Sequence, residues 1–172
     1  MYLLDTSVVS DLVNVRAGGY AAAQQWMSEN KRADLFLCVV TLAEMGFGYE
    51  TLKLRKQSTN VTWLKEVERR ISAAKQIAEA IVVTRHVADE HAKLRAAYAF
   101  LVAPKAAESI SLKSKPVELW HEDWPASKLQ ITENDLWIAA TALAHDLTLV
   151  SRDTGFLKVQ QAAPALKLRM LP

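Results

Sequence analysis

The chain has 172 residues, of which 51% are hydrophobic and 23% charged, and its formal net charge is +2. This length and composition are typical of one globular domain with a full hydrophobic core, and the small net charge neither requires nor excludes a polyanionic partner. No apolar run approaches the roughly 20 residues that cross a bilayer, and the N-terminus lacks the features of a signal peptide. We therefore expect a cytoplasmic protein with no membrane partner.

The first predicted elements are a short strand and a helix that meet at Asp5. The apolar run MYLL stops at this acid. The helix that follows has its apolar residues on one side, and these are Val8, Val9, Leu12 and Val13. A second, alanine-rich helix is predicted over 20–30. Asp5 is therefore expected at the carboxyl end of a strand.

A second strand and a third helix are predicted from the next apolar residues. Residues 35–40, LFLCVV, are typical of a buried strand. Cys38, the single cysteine of the chain, is expected there as a buried and unreactive thiol. From Thr41 apolar residues recur at helical spacing, which predicts a helix despite two glycines. Glu44 is expected in the first turn of this helix.

The middle of the chain contains a third predicted strand between two helices. A charged helix is predicted over 61–79, a strand over 80–84 and an amphipathic helix over 87–101. Residues 103–130 have no clear period and contain three prolines. We therefore expect an irregular insertion at about 103–130 within a single domain that spans 1–172.

The last part of the chain is predicted to contain a helix, a strand and an acidic loop. From Asp135 apolar residues recur on one helical face, and residues 147–150, LTLV, are typical of a buried strand that Asp153 follows. Residues 156–159 are expected to be a loop or an edge, and 166–171 a last strand. Alternating strands and helices predict an α/β fold with a mainly parallel sheet, which binds ligands beyond the carboxyl ends of its strands.

Four acids are predicted just after a strand or in the first turn of a helix, and these are Asp5, Glu44, Asp135 and Asp153. Helix capping explains the first three individually, since Thr41 and Thr132 each precede an acid by three residues, as in a capping box. The fourth acid could pair with Arg152 or begin a turn. Together, however, four carboxylates at one edge of a sheet would repel one another, a cost that a divalent cation removes. Both explanations stay open.

The type of ligand atom indicates which cation such a site would take. Carboxylate oxygens suit Mg²⁺ or Mn²⁺, and the sequence has no cysteine and histidine spacing of a zinc site. A Mg²⁺ ion held by carboxylates keeps bound waters, polarises phosphoryl oxygens and makes a bound water more acidic. Attack on a phosphodiester requires this chemistry, so hydrolysis of nucleic acid is the leading hypothesis.

Three segments resemble the PIN domain and, within it, the ribonuclease toxins of VapC type. These segments are LDTSVVSDL, TLAEMGFGYE and NDLWIAATALAHDLTLVSRD. The resemblance implies a three-layer α/β/α fold and a Mg²⁺- or Mn²⁺-dependent endoribonuclease that acts on RNA. It also implies a homodimer and a cognate antitoxin that blocks the active site, with DNA contacted only through that antitoxin.

The resemblance also implies roles for single residues. Asp5, Glu44 and Asp135 match the three metal-site acids of the family, and Asp153 matches a fourth position that often carries asparagine. Ser7 matches a small polar residue that commonly positions the metal or its water. Where the family has a short link between its last two helices, this chain has the insertion, which could be a substrate lid, a dimer arm, an antitoxin docking surface or an excursion without special function.

Candidate substrate contacts lie near the acids. Arg152, next to a metal-site acid, is the leading candidate for a phosphate contact. Ser7 is the other candidate for substrate binding. Other basic residues could contact RNA phosphates or simply lie on solvent-exposed faces, and these are Lys53, Arg55, Lys56, Lys93, Arg95, Lys113 and Lys115. Trp120 and Trp124 are predicted as exposed platforms for base stacking. A rival function is a PIN fold that no longer cuts and instead binds RNA or an antitoxin, because a correct ligand set in a loose geometry is inert.

Overall fold

The computed structural model describes residues 1–55, 61–108, 115–122 and 131–172, which divide into two compact units. The first unit comprises Met1–Val82, Val150–Arg152 and Leu171–Pro172, and the second comprises Val83–Leu149 and Asp153–Met170. Much of the predicted insertion lies outside the described residues, as do Lys56, Lys113 and Trp124. The prediction of a single domain stays a prediction.

Within its described residues, the first unit contains three complete parallel strands, four α-helices and a short 3-10 helix, Arg32–Asp34. The strands are β1 (Tyr2–Leu4), β2 (Leu35–Cys38) and β3 (Glu79–Ile81), and the helices are α1 (Thr6–Val13), α2 (Tyr20–Glu29), α3 (Val39–Leu54) and α4 (Val61–Ile77). β2 pairs in parallel with both β1 and β3. The register sets Leu4 beside Leu37, so β1 and β2 end at the same edge of the sheet.

The second unit is mainly helical. Its helices are α5 (Arg85–Val102), α6 (Pro104–Ala107), α7 (Glu133–Ala144) and α8 (Gly155–Ala162), and its strands are β4 (Thr148–Ser151), which ends in residues of the first unit, and β5 (Lys167–Met170). A short 3-10 helix, Val117–Glu122, lies between α6 and α7 in sequence. α5 packs against α7 and α8.

The sheet topology confirms the predicted fold class. The five strands are ordered β3-β2-β1-β4-β5 in an all-parallel sheet, in a three-layer α/β/α fold. Parallel strands need crossover connections, which the alternating helices supply. Within the described ranges, no helix is both long and apolar enough to cross a membrane.

Apolar burial explains why the first unit folds around β1 and α1. The predicted apolar stripe of α1, including Val8 and Leu12, is buried against Leu4 and Leu37 of the strands. Trp26 of α2 closes this core and meets the ring of Tyr2 edge to face, with 5.2 Å between the ring centroids. Removing these surfaces from water stabilises the strand end at which Asp5 lies.

The predicted boundary between the second strand and the third helix is wrong. β2 ends at Cys38, and α3 begins at Val39 rather than at Thr41. Cys38 caps the helix, because its Sγ accepts a hydrogen bond from the backbone N–H of Val40 at 3.4 Å. Val39 and Val40 are β-branched, so the sequence pattern extends the strand over two residues that form the first turn of the helix. Glu44 consequently lies in the second turn.

Three other predictions change with the structure. The third strand is only Glu79–Ile81, and residues 82–84 lie beyond it. Residues 156–159, predicted as a loop or an edge, belong to α8. Trp120, predicted as an exposed platform, is buried with 1% of its surface exposed, and its Nε1 donates to the carbonyl of Lys115 at 3.1 Å.

Truncation of a buried strand residue should destabilise the protein far more than truncation of an exposed one. Leu37→Ala removes a fully buried side chain and should lower the free energy of unfolding by about 2–5 kcal/mol. Leu54→Ala, at a position that is 81% exposed, should change it by about 0.5 kcal/mol or less. Urea denaturation of both variants measures the difference. Equal losses would show that this core is wrongly placed.

Candidate active site

Asp5 lies at the carboxyl end of β1, as predicted, and is buried with 2% of its surface exposed. Its Oδ2 accepts hydrogen bonds from the hydroxyls of Ser7 and Ser151, each at 2.7 Å. The backbone N–H of Ser7 also points at Oδ2, at 3.4 Å, so Asp5 caps α1. Its own backbone N–H donates to the carbonyl of Val150 at 3.0 Å. One carboxylate therefore joins the ends of β1 and β4 to the start of α1.

The environment of Asp5 disfavours its ionised form. Burial raises the pKa of the Asp5 carboxyl, and the hydrogen bonds from Ser7 and Ser151 lower it by less. The net pKa is above the ordinary value. A cation beside this carboxylate would restore the favourable environment that burial removes.

Glu44 is attached to the same turn of α1 through a neighbour of Asp5. The hydroxyl of Thr6 donates to Glu44 Oε2 at 2.5 Å. The predicted capping box of Thr41 with Glu44 is wrong, because Thr41 is a buried residue inside α3 and Cys38 is the cap. Capping therefore does not explain Glu44, and Asp5 and Glu44 flank one hydroxyl-bearing turn.

Asp135 belongs to the second unit and forms the predicted capping box at the start of α7. Its Oδ2 accepts hydrogen bonds from the backbone N–H and the hydroxyl of Thr132, at 2.7 and 2.8 Å. In return, Thr132 Oγ1 accepts from the backbone N–H of Asp135 at 3.3 Å. The capping explanation is confirmed for this acid, and it fixes the orientation of the carboxylate at the positive end of a helix.

Asp153 and Asp135 both influence a buried tyrosine of the second unit. Asp153 begins a turn, because its Oδ1 accepts from the backbone N–H of Gly155 at 2.8 Å. Burial, with smaller contributions from the charges of Asp135 and Asp153, raises the pKa of Tyr98 to about 12. Among the described residues, the Tyr98 hydroxyl has no hydrogen-bond partner. The two acids therefore act on one buried phenol.

Arg152 is held by groups of the first unit. Its Nη1 lies 2.8 Å from Asp11 Oδ2, and its Nε donates to the carbonyl of Pro172 at 2.9 Å. Its backbone N–H donates to Ser7 Oγ at 3.2 Å. Arg152 thus has a structural ion pair, with Asp11 as its partner, and the predicted phosphate contact stays a prediction.

Sequence reasoning missed four residues of these arrangements, and these are Thr6, Asp11, Ser151 and Tyr98. Thr6 and Ser151 could have been found, because polar side chains at strand ends carried the argument for Asp5 and Asp153. Asp11 and Tyr98 lie on amphipathic helices and gave no signal beyond ordinary helical periodicity.

Of the four predicted acids, Asp5 and Glu44 lie in the first unit, and Asp135 and Asp153 lie in the second. No group of three or more histidine, cysteine, aspartate or glutamate side chains in the described ranges is placed to hold a metal ion. The gathering of all four acids therefore stays a prediction. The donors nonetheless fit Mg²⁺ chemically, since Mg²⁺ is usually bound through one or two carboxylates, several waters and substrate phosphates.

Glu133, two residues before Asp135, joins α7 to α5 and to the 3-10 helix. His91 Nε2 and Arg95 Nε lie 2.9 and 3.1 Å from its Oε1, and the backbone N–H of Val117 donates to its Oε2 at 3.2 Å. Burial raises the pKa of the Glu133 carboxyl, but the hydrogen bonds and charges of His91 and Arg95 outweigh it and hold the pKa below its ordinary value. Arg95, a predicted substrate contact, is thus part of a structural network.

Two further basic candidates, Lys53 and Lys93, form ion pairs on the exposed faces of their helices. Lys53 pairs with Glu50 at 2.9 Å, and Lys93 pairs with Glu90 at 2.8 Å. Such exposed pairs within one helix contribute little energy and are typical of solvated faces. Neither contact indicates or excludes RNA binding.

Asp5→Asn should not destabilise the metal-free protein at neutral pH. Because the folded-state pKa of Asp5 is raised, its ionised form disfavours folding above that pKa, and the penalty disappears as the pH falls below the unfolded value. Asparagine has no such penalty and can still accept the serine hydrogen bonds. Thermal unfolding is measured between pH 3 and 8, with the exposed Asp89→Asn as the control. At pH 7 Asp5→Asn should be as stable as the wild-type protein or more stable, and at acid pH this difference should be smaller. A large loss of stability in Asp5→Asn at pH 7 would contradict the proposed cost of burying the Asp5 charge.

Glu133→Gln should lower the free energy of unfolding by about 1–2 kcal/mol at pH 7, because it removes charge-assisted hydrogen bonds. Since the folded-state pKa is lowered, this contribution is present above the unfolded pKa and is lost as the pH falls through the folded one. Denaturant unfolding at pH 7 and pH 3 measures it. Glu90→Gln, which removes only a surface pair, should cost about 0.5 kcal/mol or less. An equal loss in both variants would argue against the Glu133 network.

Comparison with known proteins identifies the fold family. The family model described as PIN domain matches residues 2–162. A comparison with curated protein sequences found no match.

Among solved structures, the chain is similar to VapBC2 from Rickettsia felis bound to a DNA fragment from its promoter, at 19% identity and a TM-score of 0.61, covering 99% of this chain and 98% of that one. It is similar to FitAcB from Neisseria gonorrhoeae, at 22% identity and a TM-score of 0.62, and the match covers 98% of this chain and 96% of that one. It is also similar to VapBC-5 from Mycobacterium tuberculosis, a member of the VapBC family of toxin-antitoxin systems. The identity is 19% and the TM-score 0.55, and the match covers 98% of this chain and 96% of that one. At these identities the likeness shows the fold. The family model covers nearly the whole sequence, and the chain belongs to the PIN domain family.

Proposed function

We propose that this chain is a metal-dependent endoribonuclease that hydrolyses RNA phosphodiester bonds, and that it is the toxin of a toxin-antitoxin pair. The observation that carries the proposal is the buried carboxylate of Asp5, fixed by Ser7 and Ser151, with Glu44 attached to the same turn through Thr6. A buried, oriented acid at the carboxyl end of a parallel strand is typical of a functional site. Membership of the PIN domain family supports the assignment.

Asp5, Glu44, Asp135 and Asp153 are proposed to hold Mg²⁺ or Mn²⁺. Such a cation would polarise a phosphoryl oxygen and lower the pKa of a bound water, so that hydroxide is available to attack the phosphorus. The contribution of the chain itself is orientation. Hydrogen bonds fix the carboxylates of Asp5 and Asp135 in advance, so less ordering remains when ligands bind.

Ser7 and Arg152 are proposed to act on the substrate side of this site. The Ser7 hydroxyl donates to Asp5 and accepts from the backbone of Arg152, so it couples the acid to the residue that follows β4. Cleavage is proposed to leave a 5′-phosphate, because attack by water on the phosphorus can expel the 3′ oxygen of the preceding nucleotide.

The solved relatives support a proposal about the protein partner. VapBC-5 belongs to a toxin-antitoxin family, and VapBC2 is bound to promoter DNA. We propose a cognate antitoxin that covers the active site, contact with DNA only through that antitoxin, and a homodimer. A cytoplasmic location remains part of the same proposal.

A second candidate is a PIN fold that binds RNA or an antitoxin without cutting. The observation that favours it is the capping role of Asp135, whose Oδ2 is already engaged by two donors of Thr132. A carboxylate used as a cap stabilises the helix whether or not it ever binds a cation.

Cleavage of structured RNA by the purified protein separates the two functions. With Mg²⁺ or Mn²⁺ the wild-type protein should cut and leave 5′-phosphate ends, and a chelator should stop it. Asp5→Asn should reduce the rate by about 100-fold or more, since it removes a charged ligand of the cation. Asp89→Asn serves as a matched control at an exposed acid and should leave the rate unchanged.

Two results would contradict the nuclease. One is equal cleavage by the wild-type protein and Asp5→Asn, which would identify a contaminating nuclease. The other is RNA or antitoxin binding by a folded wild-type protein that cuts nothing with either metal, which would support the binding module.

A further inference from the structure

The ion pair of Asp11 with Arg152 joins a nearly buried carboxylate to a partly exposed guanidinium. Its N–O distance is 2.8 Å, and the side chains of Arg152 and Asp11 are 33% and 11% exposed. Arg152 Nε also donates to the carbonyl of Pro172 at 2.9 Å. The guanidinium thus has two acceptors, the carboxylate of Asp11 and a backbone oxygen of Pro172.

Gly19, the residue before α2, packs directly on this pair. A Cβ atom on Gly19 would overlap both Asp11 Oδ2 and the Arg152 guanidinium. The position therefore has no space for a larger side chain while the pair stays in place. Close approach of the backbone limits the movement of both charged groups and reduces their contact with water.

The main chain of Arg152 connects this pair to Asp5. Its backbone N–H donates to Ser7 Oγ at 3.2 Å, and Ser7 Oγ donates to Asp5 Oδ2 at 2.7 Å. The preceding residue, Ser151, donates its own hydroxyl to the same oxygen at 2.7 Å. Both hydroxyls that fix Asp5 are therefore bonded to, or adjacent to, the residue that Asp11 anchors.

We propose that Asp11 and Arg152 are positioning residues, whose ion pair holds the end of β4 against α1 and thereby fixes the orientation of the Asp5 carboxylate. The inference rests on the proposed function, in which Asp5 holds a cation. Removal of a group that orients a metal ligand through hydrogen bonds typically weakens metal binding 10- to 100-fold. In this role the pair acts through Ser7 and Ser151, and a direct substrate contact of Arg152 is the competing proposal.

The alternative role for Arg152, a direct contact with an RNA phosphate, gives a different signature. Loss of a phosphate contact raises KM and reduces the salt dependence of binding by roughly one counterion. Loss of positioning lowers metal affinity and kcat while KM for RNA stays near its wild-type value. The two roles therefore separate in one set of measurements.

The test uses Asp11→Asn, Arg152→Gln and the double variant in the full-length protein. Binding of Mn²⁺ alone is measured by electron paramagnetic resonance, and kcat and KM for RNA are measured with Mg²⁺. We expect each single variant to bind Mn²⁺ about 10-fold more weakly, with kcat lowered and KM unchanged, and the double variant to be no worse than either one. Glu66→Gln, which removes surface ion pairs of α4, should match the wild-type protein.

Hydrogen exchange gives a readout that needs neither metal nor activity. The amide of Arg152 should exchange faster in Asp11→Asn than in the wild-type protein, because its bond to Ser7 depends on the anchored end of β4. If Arg152→Gln does not fold, Asp11→Asn decides, because asparagine keeps the shape of the side chain. Gly19→Ala, which crowds the pair without removing a charge, should weaken Mn²⁺ binding in the same direction.

The outcomes are distinguishable from failure of the proposed function. Variants that bind Mn²⁺ and turn over RNA like the wild-type protein, with lower stability alone, would overturn the positioning role. A raised KM with a smaller salt dependence in Arg152→Gln, at unchanged Mn²⁺ affinity, would overturn it in favour of a phosphate contact. A wild-type protein that neither binds Mn²⁺ nor cuts RNA would overturn both the nuclease and the inference that rests on it.

Discussion

The buried carboxylate of Asp5 is the constraint on which the structure of this region depends. Burial disfavours its charge, and the hydroxyls of Ser7 and Ser151 only partly compensate, so the pKa remains raised. Three chain segments, the end of β1, the end of β4 and the start of α1, meet at this one group. Capping of α1 explains an acid or an amide at this position, but it does not require a carboxylate that is buried at a cost, and such buried acids are common at functional sites.

The two acids of the second unit each have a local structural role at the start of a helix. Asp135 caps α7 and Asp153 begins the turn before α8, so each is oriented at a helix start before any ligand arrives. Helix starts favour negative charge, so both positions suit a carboxylate. Glu44 has no capping role, and its contact with Thr6 instead ties α3 to α1.

Local patterns predicted much of the fold and the places of the acids, but not the contacts between distant residues. Strand ends and helix periodicity placed Asp5 and Asp135, because those signals lie within a few residues of each acid. The start of α3 was missed because Val39 and Val40 resemble strand residues, and α8 because eight residues are too few to show a helical period. The ion pair of Asp11 with Arg152 joins residues 141 positions apart, a separation that a single sequence does not encode locally.

The most direct test of the central claim is the pKa of the Asp5 carboxyl, followed by carbon-13 NMR of the selectively labelled protein with and without Mg²⁺. In the absence of metal the pKa should lie above the ordinary aspartate value of 3.8, because burial outweighs the hydrogen bonds. Addition of Mg²⁺ should lower it, since a bound cation favours the ionised form. A pKa at or below 3.8 that does not respond to Mg²⁺ would contradict the account.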